Sequence, residues 1–430
     1  MLLIYVPYKT QRIEYIWDFI FNEATKVNYN LTTSEEEFNK YDGPKLEYSN
    51  RKTQNTIWLW ASDLLTKNIL TNNFQEKKIE DWGYVLFPAE NALSFIPFDL
   101  PSAVFWIISR YEEYISNNLD EHSRYDYRYS WLYRRSLINK PIVNIWIHEF
   151  IKKIKSYFPN LKVEFPEYNF ISTIDVDNMY ACFGKPFFLN FVGGIKSLLY
   201  GRFNLAFNRF TYYFKKTDLY DKYAEILKIN NYYGVKPIFF ILTSKRTKYD
   251  RNLLPENTFF KKTIDFLRNN SEIGIHFSYY SFEKQLYNWE LKTLENITKA
   301  KIFKNRFHYL KYRLPNDYEK LIDYGILEDY SMMYAQKEGF RAGTCTPFYF
   351  FNLKTNQKTN LKIYSSPFMD RHLIKNKKLL NNEIFNYIQD IKKFNGTFVL
   401  LWHNETLLEK TYYNSNLKDL YKMIIEYAVK

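Results

Sequence analysis

A chain of 430 residues has room for two to three domains of roughly 150 residues each and can bury a sizeable core without disulfides or a structural metal. Its two cysteines, Cys182 and Cys345, stand far apart with no Cys-x-x-Cys and no Cys/His cluster, which argues against a zinc ribbon and a disulfide-rich secreted scaffold. The 60 basic and 47 acidic residues leave a net charge of +13, which favours any polyanion without choosing among nucleic acid, anionic membrane and acidic glycan.

The apolar start, residues 1–6, has no basic flank or cleavage site and reads as a buried strand. A second strand falls at 82–87, and helical spacing covers 102–115 and 142–158, so the first part is an α/β unit. Turn signals at Pro159-Asn160 and Pro166-Glu167 place a boundary near residue 165, dividing the chain into 1–165 and 166–430. A β-prone run at 170–174 then ends in Asp175-Val176-Asp177. Helical spacing at 220–233, a strand at 237–242, a helix at 257–269 and a strand at 273–276 follow. Helices at 281–298 and 317–324, a last strand at 397–403 and a terminal helix at 417–429 complete the series. Such alternation implies parallel β/α units, closed as a barrel or open as a doubly wound sheet, with chemistry at the carboxyl ends of the strands. No uncharged run reaches the roughly 20 residues of a spanning helix, so a cytoplasmic protein, soluble or peripheral at the inner membrane, is expected.

Three of these strands end in ionisable residues: Asp175 and Asp177, His276, and His403. Two acids one residue apart in extended chain face the same side, so one can hold a metal while the other takes a proton. Each has a bland alternative: the aspartates cap the next segment, and the histidines are satisfied core residues. Their joint placement is what favours a site.

These residues resemble the motifs of the polysaccharide deacetylase family, the NodB-homology or chitin-deacetylase-like carbohydrate esterases. Ser172-Thr173-Ile174-Asp175-Val176-Asp177 is similar to the first motif, and Pro237-Ile238-Phe239-Phe240-Ile241 to the Thr-Phe-Phe strand. Glu272-Ile273-Gly274-Ile275-His276-Phe277-Ser278 is similar to the second, Arg313-Leu314-Pro315 to the third, Asp329-Tyr330-Ser331 to the fourth, and Leu400-Leu401-Trp402-His403 to the last. Ser109-Arg110-Tyr111-Glu112-Glu113-Tyr114, Asp120-Glu121-His122-Ser123-Arg124 and Gly339-Phe340-Arg341-Ala342-Gly343-Thr344 resemble a branch common in Bacteroidetes that carries an extra amino-terminal domain; the alternative for these stretches is solvated loop. The resemblance implies a distorted (β/α) barrel behind an α/β domain, and a metal-dependent hydrolase that removes N-acetyl groups from amino sugars of a cell-surface polysaccharide or its lipid-linked precursor. It implies a divalent metal, zinc foremost, on Asp177 and His276, with Asp175 as base and His403 as acid.

One position departs. The family places a second histidine four residues after the first, and here that residue is Tyr280, a poor zinc ligand. His308 is the candidate replacement, with His372 behind it, and Arg306 or Arg313 is expected to orient Asp175 unless it partners Asp329. If no replacement completes the site, the alternative is an inactive barrel that binds glycan. Residues 185–216 hold six basic side chains and no acid among many Phe and Leu, which suits an interfacial helix on anionic lipid or an insertion packed on the barrel with a solvated basic rim. With no nucleic-acid-binding motif and dispersed basic residues, no specific nucleic-acid partner is expected.

Overall fold

The computed structural model describes residues 1–430 except 54, 68–69, 71–73, 376–382 and 409–415. Strands β1 (Leu2–Tyr5), β2 (Tyr29–Thr32), β3 (Lys45–Ser49) and β4 (Ile57–Trp60) form a parallel sheet in the order β2-β1-β3-β4. All four residues of β1 are buried, the pattern of an inner parallel strand covered on both faces. An antiparallel pair follows, β5 (Glu76–Ile79) with β6 (Gly83–Leu86). The helix predicted over 102–115 is two pieces. Leu100–Ile108 starts on the Asp99 carboxylate, which accepts from Ser102 N at 3.1 Å, and the chain breaks at Arg110, φ 56°, before Tyr111–Tyr114. The break turns the Arg110 side chain into the interior.

The second sheet comprises β7 (Asn169–Val176), β8 (Ile238–Leu242), β9 (Glu272–Phe277), β10 (Lys304–Phe307), β11 (Glu328–Met332), β12 (Phe348–Asn352), β13 (Gln357–Ser365) and β14 (Thr397–His403). Their order is β12-β13-β11-β10-β9-β8-β7-β14; β12 runs antiparallel outside β13, and the other pairings are parallel. The sheet curls until the chain beyond β13 meets β14, where Met369 bridges Leu401 in parallel and Ser366 Oγ donates to Val399 O at 2.8 Å. Seven parallel strands therefore close as a distorted (β/α) barrel, with that bridge in place of a full ladder. The helix predicted over 281–298 begins only at Tyr287, because Ser278 N and Ser281 Oγ donate to the Glu290 carboxylate and fold the preceding residues into turns.

The two sheets share one core. The rings of Tyr15 and Phe351 lie 4.9 Å apart, and Asn144 bonds the Thr344 and Thr346 hydroxyls. Two stretches whose alternative reading was solvated loop meet here and are buried. Arg110 donates to Glu112 and Glu113 at 2.8 Å, and Arg341 donates to both oxygens of Glu113 at 2.9 and 2.7 Å. After β7 the chain leaves the barrel as a hairpin of two helices, Phe187–Leu199 and Phe203–Lys215. Gly193 and Gly194 let them approach: a Cβ at Gly193 would meet the Arg209 guanidinium, and one at Gly194 the ring of Phe210.

Candidate metal centre

Sheet register assembles the site. His403 on β14 pairs with Asp175 on β7, and Arg306 on β10 pairs with His276 on β9; through β8, which aligns Asp175 with Phe240 and His276 with Leu242, the second pair lies two residues further toward the carboxyl end of the barrel. Asp177 follows two residues after Asp175. His308 follows β10 directly, on a turn in which Tyr309 and Leu310 both have positive φ, 61° and 50°, a conformation that non-glycine residues seldom adopt. Arg124, from the amino-terminal region, donates to Tyr309 O at 2.7 Å and pins that turn.

Three imidazoles converge on Asp177. His276 Nε2 lies 3.2 Å from Oδ1, while His308 Nε2 and His403 Nε2 lie 3.6 and 3.7 Å from Oδ2. Each ring is held from behind at Nδ1: His276 by Arg306 O at 2.8 Å, His308 by Asp250 Oδ1 at 2.9 Å, and His403 by Asp370 Oδ1 at 2.7 Å. An acceptor behind the ring fixes its orientation and leaves Nε2 for the centre. Ligand atoms of Asp177, His276 and His308 lie within 4.8 Å of one another.

The charges are coupled. Burial alone would raise the Asp177 carboxyl, but His308 and His403 outweigh it and hold it well below its ordinary value. Burial opposes charge on His308 and His403, yet Asp177 and Asp250 carry the first up to about 10, and Asp370 and Asp177 carry the second up to about 9.

These residues fit a divalent cation. Among the described residues, no donor reaches the buried Asp177 Oδ1 in hydrogen-bonding geometry, and two imidazole nitrogens with one carboxylate oxygen form a donor set suited to zinc and related ions. His308 is the third member of this cluster, while the Tyr280 ring packs against Tyr279 and Tyr249.

Asp175 lies beside this group and is held by Arg306, whose Nη1 donates to Asp175 Oδ1 at 2.7 Å and to Thr173 Oγ1 at 2.8 Å, while Nε donates to Tyr330 O at 3.0 Å. Arg313 does not join it, a correction to the expectation above. Its guanidinium lies over the ring of Phe282, 4.4 Å from the centroid, and its backbone N–H donates to Asp317 at 2.6 Å. Neither arginine pairs with Asp329, whose carboxylate takes Asn305, Tyr318 and Ser331. His372 is also outside the cluster, its ring nitrogens facing Ala335 O and Met369 N. Asp250 and Asp370 are the residues that sequence reasoning missed. Asp250 lies in the loop after β8, so an acid beyond a strand end was the available signal, and Asp370 lies in the segment read only for His372.

A cavity of about 470 Å3 opens over the group, lined by Asp175, Asp177, His276, His308 and His403 together with Glu121, His122 and Arg124. His122 Nδ1 lies 2.9 Å from the Tyr279 hydroxyl, so the 120–124 loop forms part of the wall and is not merely solvated.

Fold and site together define a seven-stranded parallel (β/α) barrel with an Asp/His/His cluster at its carboxyl mouth, compatible with a divalent metal. Residues 2–159 match a family of unknown function, DUF7033, which covers the amino-terminal sheet and not the barrel. A search of curated proteins gave no match. Among solved structures, a protein assigned as a polysaccharide deacetylase from Mycobacterium smegmatis is 11% identical with a TM-score of 0.38, covering 61% of this chain and 84% of that one. A polysaccharide deacetylase from Bacillus cereus is 10% identical with a TM-score of 0.28, covering 61% and 86%. Both likenesses are remote, and the barrel assignment rests on strand order and the Met369–Leu401 closure.

Proposed function

We propose that this chain is a metal-dependent amide hydrolase that removes an N-acyl group, acetyl foremost, from an amino sugar of a cell-surface glycan or its lipid-linked precursor, in the polysaccharide deacetylase branch with an added amino-terminal domain. The observation that carries the reading is the division of labour among the buried groups. Asp177, His276 and His308 present a ligand set, and beside it stand a carboxylate fixed by Arg306 and an imidazole fixed by Asp370.

Asp177, His276 and His308 would hold a divalent ion, which would supply Lewis acidity to lower the pKa of water and polarise the acyl carbonyl. Asp175, oriented at Oδ1 by Arg306, accepts the proton of the attacking water. His403, charged through its contact with Asp370, delivers a proton from Nε2 to the departing sugar amine. Glu121, His122, Arg124 and Tyr309 line the mouth through which the substrate would enter.

Metal analysis of the purified protein, with acetate release from N-acetylated glycans by the parent and by Asp177→Ala, His276→Ala and His308→Ala, tests the reading. About one metal per chain, lost in all three variants together with acetate release, is the expected result. No metal and no acetate across a broad glycan panel would replace it with a glycan-binding barrel.

A further inference from the structure

The hairpin formed by Phe187–Leu199 and Phe203–Lys215 carries its apolar residues outward. Phe187, Phe188, Leu199, Tyr200, Phe203 and Phe214 are exposed by 64 to 90%, more than enough to make this face an outlier on a soluble surface. Among the described residues it is held at its base by a small cluster of Ala181, Cys182, Tyr212 and Tyr220, and by the Asp218 carboxylate, which accepts from the backbone N–H groups of Ala181, Cys182 and Phe183. Neither helix is long and apolar enough to cross a membrane.

The inner side of the hairpin walls a second cavity, of about 820 Å3, that shares Asp177, His308 and Tyr309 with the candidate metal centre. Seven basic side chains line it against two carboxylates, Asp177 and Glu405. Among the described residues, Lys185, Lys196, Arg209, Arg246 and Arg251 have no carboxylate within ion-pair distance. The basic rim suggested by the sequence is thus turned partly inward. Arg209 packs its guanidinium against Gly193, and among the described residues its buried Nε has no acceptor. Lys185 donates to Asn178 Oδ1 and Tyr180 O, and burial, reinforced by the charge of Arg209, draws its ammonium down to about 7. Such crowding is relieved by a multiply charged anion.

An apolar outer face suits the interface of a bilayer, and clustered guanidinium and ammonium groups suit phosphoryl oxygens. The cations line a cavity that shares Asp177, His308 and Tyr309 with the metal centre, Lys185 and Arg209 half-buried and Arg246 and Arg251 exposed, so one ligand seated there can meet several of them. We infer that the substrate is a sugar joined through phosphate or diphosphate to a lipid chain, with the phosphoryl group on Lys185, Arg209, Arg246 and Arg251, and with the hairpin's apolar face in the bilayer. The inference rests on the hydrolase reading only for what then happens to the sugar.

Flotation of the full-length, metal-loaded protein with vesicles tests this without measuring acetate. Phosphatidylcholine vesicles doped with geranylgeranyl diphosphate should retain at least about tenfold more protein than undoped ones. Arg246→Glu, at an exposed position, and Arg209→Glu should abolish the gain and also weaken inorganic pyrophosphate binding measured by calorimetry, while leaving metal content unchanged. Phe188→Ser combined with Leu199→Ser and Phe214→Ser should lose vesicle binding yet keep pyrophosphate binding. Equal retention by phosphatidylglycerol vesicles lacking the diphosphate would reduce the effect to surface charge and overturn the inference. Pyrophosphate binding unaffected by Arg246→Glu, or no association of the parent with doped vesicles, would overturn it as well. If Arg209→Glu does not fold, Arg246→Glu alone decides. Because the readout is binding, absence of deacetylation would sink the hydrolase reading and leave this one standing, and the converse holds.

Discussion

Glu113, at the junction of the two sheets, receives Arg110 and Arg341 on Oε1 and Arg341 again on Oε2. Asp177, at the barrel mouth, is surrounded by three imidazoles, and among the described residues no group makes a hydrogen bond of good geometry to its Oδ1, the nearest being His276 Nε2 at 3.2 Å. Both are acids amid buried cationic or cationisable groups, but the first set is closed within the protein and the second is left open. A closed network fixes how two elements sit together. An open one of nitrogen and oxygen donors, braced from behind by acceptors, is arranged to be completed by something that is not protein.

Removing groups from each set should separate these roles. Asp175→Ala, next to the open set, should lower acetate release by about 10²- to 10⁴-fold with metal content unchanged; a variant that kept full activity would end the assignment of Asp175 as base. Glu113→Ala should leave the Arg341 guanidinium buried without its carboxylate and Arg110 with Glu112 alone, and lower the unfolding free energy by about 3–5 kcal/mol, read from urea denaturation. Metal bound per folded chain should not change. Asp177→Asn reverses the pattern, with metal lost and a much smaller shift in the urea midpoint.

Asp250→Asn takes the anionic acceptor from behind His308 and should weaken zinc binding about 10- to 100-fold, measured by competition with a chelating dye; unchanged affinity would count against His308 as a ligand. The finest test is pH. His308 in the metal-free protein is raised to about 10 and His403 to about 9, above the 6.5 of a free imidazole. Their contribution to stability is therefore complete below about pH 6.5 and lost as pH rises through about 9 to 10. A metal must displace the His308 proton, so zinc affinity should climb about tenfold per pH unit over the same window. A flat affinity profile would show that no proton is exchanged.

The four strand-end residues were legible because a strand has a period of two and a (β/α) barrel puts its chemistry at one end. Asp175, Asp177, His276 and His403 stand out against those rules with no knowledge of their neighbours. His308 was visible only as a histidine close to a presumed strand. Its turn depends on two non-glycine residues with positive φ and on Arg124 from the other sheet, neither of which has a local signature. Arg313 carried the motif but not the position, since the chain beyond Leu310 takes its guanidinium to Phe282. Strands β2 to β4 escaped notice because they are four or five residues long, and β2 is only partly buried, too short for alternation to register.

By itself the sequence determined the strands β1, β6 to β9 and β14, the alternation of strand and helix, and the chemistry placed at the strand ends, because these follow from backbone periodicity and from residues close along the chain. Tertiary structure decided which of those ends meet. Arg306 reaches Asp175 across 131 residues and Arg341 reaches Glu113 across 228, and the barrel closes where Met369 bridges Leu401 and Ser366 meets Val399. Register is passed only between neighbouring strands, whereas closure of the barrel, the turn that carries His308 and the inward turn of Arg209 against Gly193 depend on packing among segments far apart in the chain.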